Sequence, residues 1–555
     1  MELRGRQAAL AAGLVAALVA APSVRNGFVQ DDHWVVEQRP FLQHPGSLAA
    51  VLTEPYWPRG FGGVLWRPAV LASYALDYKI SASPHWFHAV NVLWAAAAAA
   101  ALALLATLIA GPTVGLVTGL LFAVHPVHVE ATASVVGRAE LVAAMGYAVA
   151  LISAVRSEQR LIWLAGVGLG AALAIGAKEH AATLPAAVVL VFLARAFGQR
   201  SDWRRALRVA LPAAACATVV VVLYFVARRA VAGGAFTPGG LAPGLRGLSV
   251  ADRAWAMLPI SFEWWRLLLF PVWLSADYNP AQLSVTTALT ARHGLAALVW
   301  IAAGLAAWRL RGTVPGVAVG LAWLVLTILP VSNVIVPTEV IVAERTLYLP
   351  SWGAMLALAA LGASLRWPPR AKAWLLVLAL VAGAGRSVAR LPVWRDDQSF
   401  FAAQQHDAPR SFRTLWLEGL EAFRLGQPAR GERLLELAAA AAPEVAGPRD
   451  DLARAYVAAA LWAAAVQELR ASIAVDSSRA PPWGLLPRAL LGGGDTTGAG
   501  DAALLAARRF PQDESVVDAA ADVLAGAGRC GEARALRPRV SCPRAEARAR
   551  PQVRP

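Results

Sequence analysis

The chain has 555 residues, 57% of them hydrophobic, and a mean hydropathy of +0.51. Soluble domains hold roughly 45–50% apolar residues, so this composition excludes a wholly soluble protein, and the length leaves room for more than one domain. The formal net charge of +15 does not mark a nucleic-acid binder, because the excess Arg sits in short clusters between apolar runs and no groove-reading motif is present.

The first apolar run begins near Gln7, with Arg4 and Arg6 before it and Arg25 after it. It resembles a secretory signal peptide, and VAAPSV reads like a cleavage region. Many apolar runs follow, so it is read as an uncleaved helix with its N-terminus inside. The next segment, NGFVQDDHWVVEQ (26–38), then emerges outside. Its adjacent acids, Asp31 and Asp32, would be costly in lipid and make sense facing water at the membrane edge.

Further runs of near-spanning length lie near 88–109, 112–126, 139–155, 161–177, 181–195, 209–226, 293–308, 317–334, 351–365 and 373–389. With the first run they give about eleven spans. The loops assigned to the inside are basic: RSEQR (156–160), RAFGQRSDWRRALR (195–208), RLRG (309–312) and RWPPRAK (366–372). This bias fits an N-terminus inside and a C-terminus outside. Segment 251–273 is interrupted by Glu263 and Arg266 and is read as an interfacial or partly buried outer helix.

The residues capable of chemistry fall in the outer segments. They are DDHW (31–34), WRP (66–68), ALDY (75–78), HWFHAVN (85–91), HPVHVEATASVVGRAEL (125–141), GAKEH (176–180), LLFPVWLSADYNP (268–280) and VPTEVIVAERTLYLPS (336–351). Convergent polar groups over an apolar scaffold make a candidate site, although single acids at helix starts often only complement the dipole. A carboxylate here can take a proton from an alcohol or bind a divalent cation. Arg138, Lys178 and Arg345 can hold a phosphate. That pairing suits a lipid-linked phosphate substrate. A P-loop and a G-x-G-x-x-G strand–helix unit are both missing from the sequence. His125, His128 and Glu130 form H-x-x-H-x-E, which could ligate zinc. His125 precedes Pro126, however, so this is not the H-E-x-x-H helix, and a substrate contact or loop-shaping role is favoured.

After about Leu391 the pattern turns polar-punctuated and Ala-rich. Phe423 and Tyr456 are 33 residues apart, and Pro443, Ser477 and Pro511 recur at steps of 34. That period matches tetratricopeptide (TPR) repeats. Three to four units are expected, enough to stack into an array with a concave surface for a peptide or protein; a spacer or dimer contact is the plainer reading. The expected division is a membrane domain at 1–390, a linker at 391–411, repeats at 412–540 and a basic disordered tail at 541–555. Cys216 reads as a packing residue; Cys530 and Cys542 could pair if that end lies outside the cytoplasm, or stay as free thiols.

FVQDDHWVV, WRP with ALDY and FHAVN, FAVHPVHVEATASVVGRAELVAA, AKE, LSADYN and AERTLYLPS, followed by repeats, resemble the transmembrane and tetratricopeptide repeat-containing O-mannosyltransferases. The HPVHVEA…GRAEL and ERTLYLPS stretches are the most specific. The resemblance implies an all-α, multi-span GT-C glycosyltransferase domain followed by a TPR solenoid. It implies inverting transfer of a mannose-like sugar from a polyprenyl-phosphate carrier to a Ser or Thr hydroxyl outside the cytoplasm. It assigns Asp31 or Asp32 as base, with a slight preference for Asp32, and Glu130 as second acid. It makes Arg138, Lys178 and Arg345 the phosphate ligands, and His125, His128, Glu179, Glu344 and Tyr348 members of the substrate site. Mg²⁺ or Mn²⁺ on the acids stays open. Few repeats, a short Arg-rich tail and high Ala, Arg and Gly content fit a bacterial member with an undecaprenyl-type carrier and a periplasmic site. Two other classes compete. A non-catalytic membrane-anchored scaffold would leave the outer acids dispensable. A transporter would carry ionisable residues near the midplane of its spans.

Overall fold

A computed structural model describes residues 2–44, 48–58, 65–232 and 242–542; most of the expected basic tail lies outside the described residues. Among the described residues the chain is helical, with a single isolated β-bridge between Tyr278 and Val342. Described residues up to Ala408 form one compact unit and those from Pro409 form a second.

In the first unit each expected apolar run is a helix. Eight are long and apolar enough to cross a membrane: Leu3–Arg25, Pro84–Ala110, Arg138–Ser157, Glu179–Gln199, Trp203–Val231, Ala291–Leu310, Glu344–Ser364 and Pro369–Trp394. Pro112–Ala123 and Pro126–Ala133 qualify as a ninth only together, bent by 55° at the break between them. The bend has a local cause. Pro126 pushes the residue before it out of helical geometry, and His125 is extended at φ −70°, ψ 123°. Trp163–Ala177 and Pro315–Val331 are apolar but shorter. At 1.5 Å per residue, 15 residues cover about 22 Å, less than the roughly 30 Å of a hydrocarbon core.

Small residues set the helix contacts, as expected where lipid supplies no hydrophobic drive between helices. A Cβ on Gly146 would meet the Gly170 carbonyl at 2.7 Å, and one on Gly320 would meet the Gly353 carbonyl at 2.2 Å. The ambiguous segment is the helix Val250–Leu269, opened by a Ser249–Asp252 capping box. It buries Met257, Ile260, Trp264, Leu267 and Leu268 and leaves Trp255 and Leu269 exposed. The segment expected as a linker is largely ordered within this unit. Leu391–Trp394 and Asp397–Asp407 are helical, and Leu391, Trp394 and Phe400 pack with Val29 and Val129.

The second unit is a run of eight helices from Phe412–Arg424 to Cys530–Leu536, each packed on its neighbour in sequence. Its core is small and regular, with Ala453, Ala465, Leu469, Ala503, Ala520 and Leu524 buried. Gly426, Ala460, Gly494 and Gly528 all take positive φ, at steps of 34 residues. The turn that closes each first helix is therefore periodic even where the side chains are not. Cys530 and Cys542 are joined in a disulfide with Cα atoms 6.1 Å apart.

Ala460 occupies a left-handed position at φ 57°, which costs a residue with a Cβ roughly 1–2 kcal/mol. Glycine returns roughly 0.5–1 kcal/mol of this as lost chain entropy. Ala460→Gly should raise the thermal unfolding midpoint slightly, whereas Gly426→Ala and Gly494→Ala should lower it. Equal effects of opposite and matching changes in differential scanning fluorimetry would sink this account.

Candidate functional site

The paired acids part company in the structure. Asp32 is fully buried. Its carboxylate accepts from the backbone N–H groups of Val29 (3.2 Å), Val135 (3.2 Å) and Val136 (2.8 Å), and from the Ser134 hydroxyl (3.3 Å). Burial pushes it up to about 7, with the three N–H donors pulling it back. Asp32 thus ties the first outer segment to the second. Asp31 is half-buried, and its charge acts on Asp32, Tyr56 and Arg345. Gln30, just before the pair, sits in the left-handed region at φ 54°. Its N–H is held by the Asp397 carboxylate at 2.9 Å. Asp397 also meets His33 Nε2 at 2.8 Å, and His33 Nδ1 meets Glu37 at 2.5 Å. Strained backbone of this kind persists only where its surroundings fix it.

Arg138, expected on a phosphate, is instead wholly enclosed. Its guanidinium donates to Asn91 Oδ1 (2.7 Å), the Ser73 hydroxyl (3.2 Å), the Phe87 carbonyl (2.9 Å) and the Asp77 carboxylate, and lies over the Tyr74 ring at 4.7 Å. No face is left for a substrate, so this expectation is corrected: the Arg of GRAEL is a core cation paired with the Asp of ALDY. Asn91 passes the network on, donating to the Ser134 carbonyl at 2.9 Å.

Four further residues expected to bind substrate are also packed away. His128 lies between Phe122 and Tyr348, at 4.3 and 4.4 Å, and meets the Ser351 hydroxyl at 2.8 Å. His125 uses Nε2 on the Leu268 carbonyl (3.1 Å) and accepts at Nδ1 from the Val127 N–H (3.3 Å). Glu344 accepts from the Ser275 N–H (2.7 Å) and the Tyr278 hydroxyl (2.8 Å), which docks LSADYN against ERTLY. Tyr348 is buried among these rings. Among the described residues no group of three or more His, Cys, Asp or Glu converges as a metal site would need. The H-x-x-H-x-E residues do not fit zinc, because their polar atoms are already used within the fold.

What the structure does bring together is a cluster of cations, one of which, Arg345, lies within electrostatic reach of Asp31. Arg345 pairs with Glu130, which also accepts its backbone N–H at 2.8 Å. The Arg345 side chain keeps 35% exposure, against 6% for Glu130. Lys178 pairs with buried Glu140 and lies within electrostatic reach of Arg67 and Arg345. Glu179 binds Arg67 at 3.1 Å and approaches Arg228 at 3.6 Å. Arg67 lies over the Tyr56 ring at 4.6 Å. His180 sits 3.7 Å from Glu140. Arg67, Glu140, His180 and Arg228 were missed as site residues by sequence reasoning. The first three stand inside the quoted motifs WRP, GRAEL and GAKEH, so the signal was present; Arg228 follows an apolar run with nothing to single it out.

A half-buried carboxylate in reach of Arg345, with Lys178 and Arg67 linked to that cation in turn, can accept a proton while a leaving anion is held nearby. Two consequences are testable. Removing Arg138 leaves Asp77 buried without its counter-ion, a change worth about 3–5 kcal/mol. Arg138→Gln should therefore lower the melting temperature and the folded yield in detergent; unchanged melting would refute the core assignment. The folded-state value of Asp32 lies above its ordinary value of 3.8. Its stabilising contribution is therefore full below about pH 4 and is lost as pH rises through about 7. Stability of the wild type should fall across that window, and Asp32→Asn should flatten the fall.

No family model matches the chain. Among curated proteins it is similar to human protein O-mannosyl-transferase TMTC1, at 27% identity over 458 residues, covering 73% of this chain and 51% of that protein. Drosophila melanogaster protein O-mannosyl-transferase Tmtc3 is 28% identical over 347 residues, 53% of this chain and 37% of its own length. Human TMTC3 is 26% identical over 365 residues, 59% of this chain and 39% of its own. The chain spans about half the length of TMTC1 and less of the others. Its curated homologues are thus TMTC protein O-mannosyl-transferases, at modest identity over much of the chain, which supports a TMTC-like family.

Proposed function

We propose that the chain is a GT-C membrane glycosyltransferase that moves a mannose-like sugar from a polyprenyl-phosphate carrier to a Ser or Thr hydroxyl of a protein outside the cytoplasm. The observation that carries the reading is Asp31, half-buried and flanked by Arg345. Arg345 in turn lies near Lys178, and Lys178 near Arg67. The names of the relatives supply the sugar and the acceptor class.

In this reading Asp31, rather than Asp32, is the base. Asp32 is enclosed by donors from Val29, Ser134, Val135 and Val136 and positions its neighbour. The acceptor oxygen attacks the anomeric carbon as Asp31 takes its proton. The bond from that carbon to the phosphate oxygen breaks with inversion, and the carrier phosphate departs as an anion. Arg345, Lys178 and Arg67 hold that anion, with Arg in the bidentate manner suited to phosphate. Glu130 orients Arg345 through two contacts.

In this reading the two short apolar helices and the bent pair join the eight candidate spans, for eleven in all, where length and composition alone give eight, or nine with the bent pair. The basic loops lie inside, the site and the second unit outside. The Cys530–Cys542 disulfide supports an oxidising compartment for that unit, the periplasm in a bacterial cell. Its 34-residue turn period supports a TPR array that holds the acceptor protein.

The test is transfer of label from radiolabelled polyprenyl-phosphate sugars to envelope protein by the full chain in nanodiscs. Asp31→Asn should lose about 10²–10⁴-fold, the scale of a positioned base, while melting like wild type. Asp32→Asn should lose less at equal folded amount. Full activity in Asp31→Asn, or no carrier consumption by wild type, would sink the reading and leave a membrane-anchored scaffold in its place.

A further inference from the structure

The helix Val250–Leu269 and the start of the helix Ala291–Leu310 border a groove of about 500 Å³. That is within the size range of small-molecule sites. Phe262, Leu269, Phe270 and Leu295 give it apolar walls. Ala291–Leu310 is the least buried of the candidate spans, so the groove adjoins a surface that meets lipid chains. None of Asp31, Arg67, Lys178 and Arg345 lines it.

Its polar groups are not in balance. Arg266 is closed on Glu263, with Nε at 3.0 and 2.9 Å from the two carboxylate oxygens, and donates to the Trp273 carbonyl at 2.7 Å. That charge is compensated. Arg292 is exposed in the lining, with no ion pair or hydrogen bond of its side chain among the described residues. Trp265 also lines the groove, pinned against Trp300 with ring centres 5.1 Å apart. Its indole N–H is buried without an acceptor among the described residues. An uncompensated cation and an apolar wall beside a lipid-facing helix match an amphiphile with an anionic head.

We propose that this groove binds an anionic glycerophospholipid of the surrounding bilayer. Its phosphate lies on Arg292, and its first acyl segment runs along Phe262, Leu269, Phe270 and Leu295. A phosphodiester carries one charge, which Arg292 alone balances. The separation from the Asp31 cluster sets this lipid apart from a sugar carrier. The inference rests on the bilayer reading of the apolar helices and not on sugar transfer.

The test is native mass spectrometry of the full chain in detergent with added phosphatidylglycerol, phosphatidylcholine or undecaprenyl phosphate. Wild type should retain phosphatidylglycerol at collision energies that strip phosphatidylcholine. Arg292→Ala should weaken that binding about tenfold, and Arg292→Lys should retain most of it. Arg366→Ala serves as a control and should bind as wild type. Melting without added lipid should match wild type in every variant. Equal phosphatidylglycerol binding by wild type and Arg292→Ala overturns the proposal. So does loss of undecaprenyl phosphate, rather than phosphatidylglycerol, in Arg292→Ala, which would give the groove to the carrier.

Discussion

A guanidinium without access to water has to be satisfied inside the fold, and that requirement organises the first unit around Arg138. Its partners come from Pro68–Tyr78, through Ser73 and Asp77, and from Pro84–Ala110, through Phe87 and Asn91. Asn91 reaches the Ser134 carbonyl, the Ser134 hydroxyl reaches Asp32, and Tyr74 donates to the Val135 carbonyl at 2.9 Å. One continuous polar network therefore runs from a buried ion pair to the residue beside Asp31. Half-satisfied networks of this kind are costly, and complete ones fix a single arrangement. Asp31 can stay half-exposed at a defined place because its neighbours are held from behind.

This division of labour explains what the sequence could disclose. Apolar runs declare themselves by length and composition, so each expected helix appears near its expected place. The outer motifs were also legible as a group, because polar residues at span ends must face water or pair. Which member of a motif pairs inward depends on tertiary contacts, and no local pattern records it. GRAEL contributes Arg138 to the core and Glu140 to Lys178; WRP contributes Arg67 to the cation cluster. Residue type alone ranks Arg138 and Arg67 equally, and only their neighbours separate them. The preference for Asp32 over Asp31 fails to match the burial pattern for the same reason.

The second unit illustrates the opposite case. Its side chains drift, and GGGDTTGAG interrupts the third repeat. The backbone nevertheless returns to positive φ at Gly426, Ala460, Gly494 and Gly528. Periodicity survives best in the turn, where chain geometry is constrained by sterics more tightly than by packing. The aromatic positions, which first suggested the period, are the looser record of it.

The break at His125–Pro126 bears on the order in which the molecule assembles. A helix interrupted inside a packed unit leaves backbone polar groups that need partners from elsewhere. The Val124 carbonyl is taken by the Ser387 hydroxyl at 2.8 Å, and Gly383 leaves room for that approach, since a Cβ there would meet the same carbonyl at 3.1 Å. The His125 ring is anchored on the Leu268 carbonyl. Both partners are made more than a hundred residues later in the chain. During synthesis the early helices therefore wait with an open seam, and the span Pro369–Trp394 acts as the closing stitch. Biogenesis of the site is complete only when nearly the whole membrane unit has been inserted, which makes the end of the membrane domain a checkpoint for its beginning.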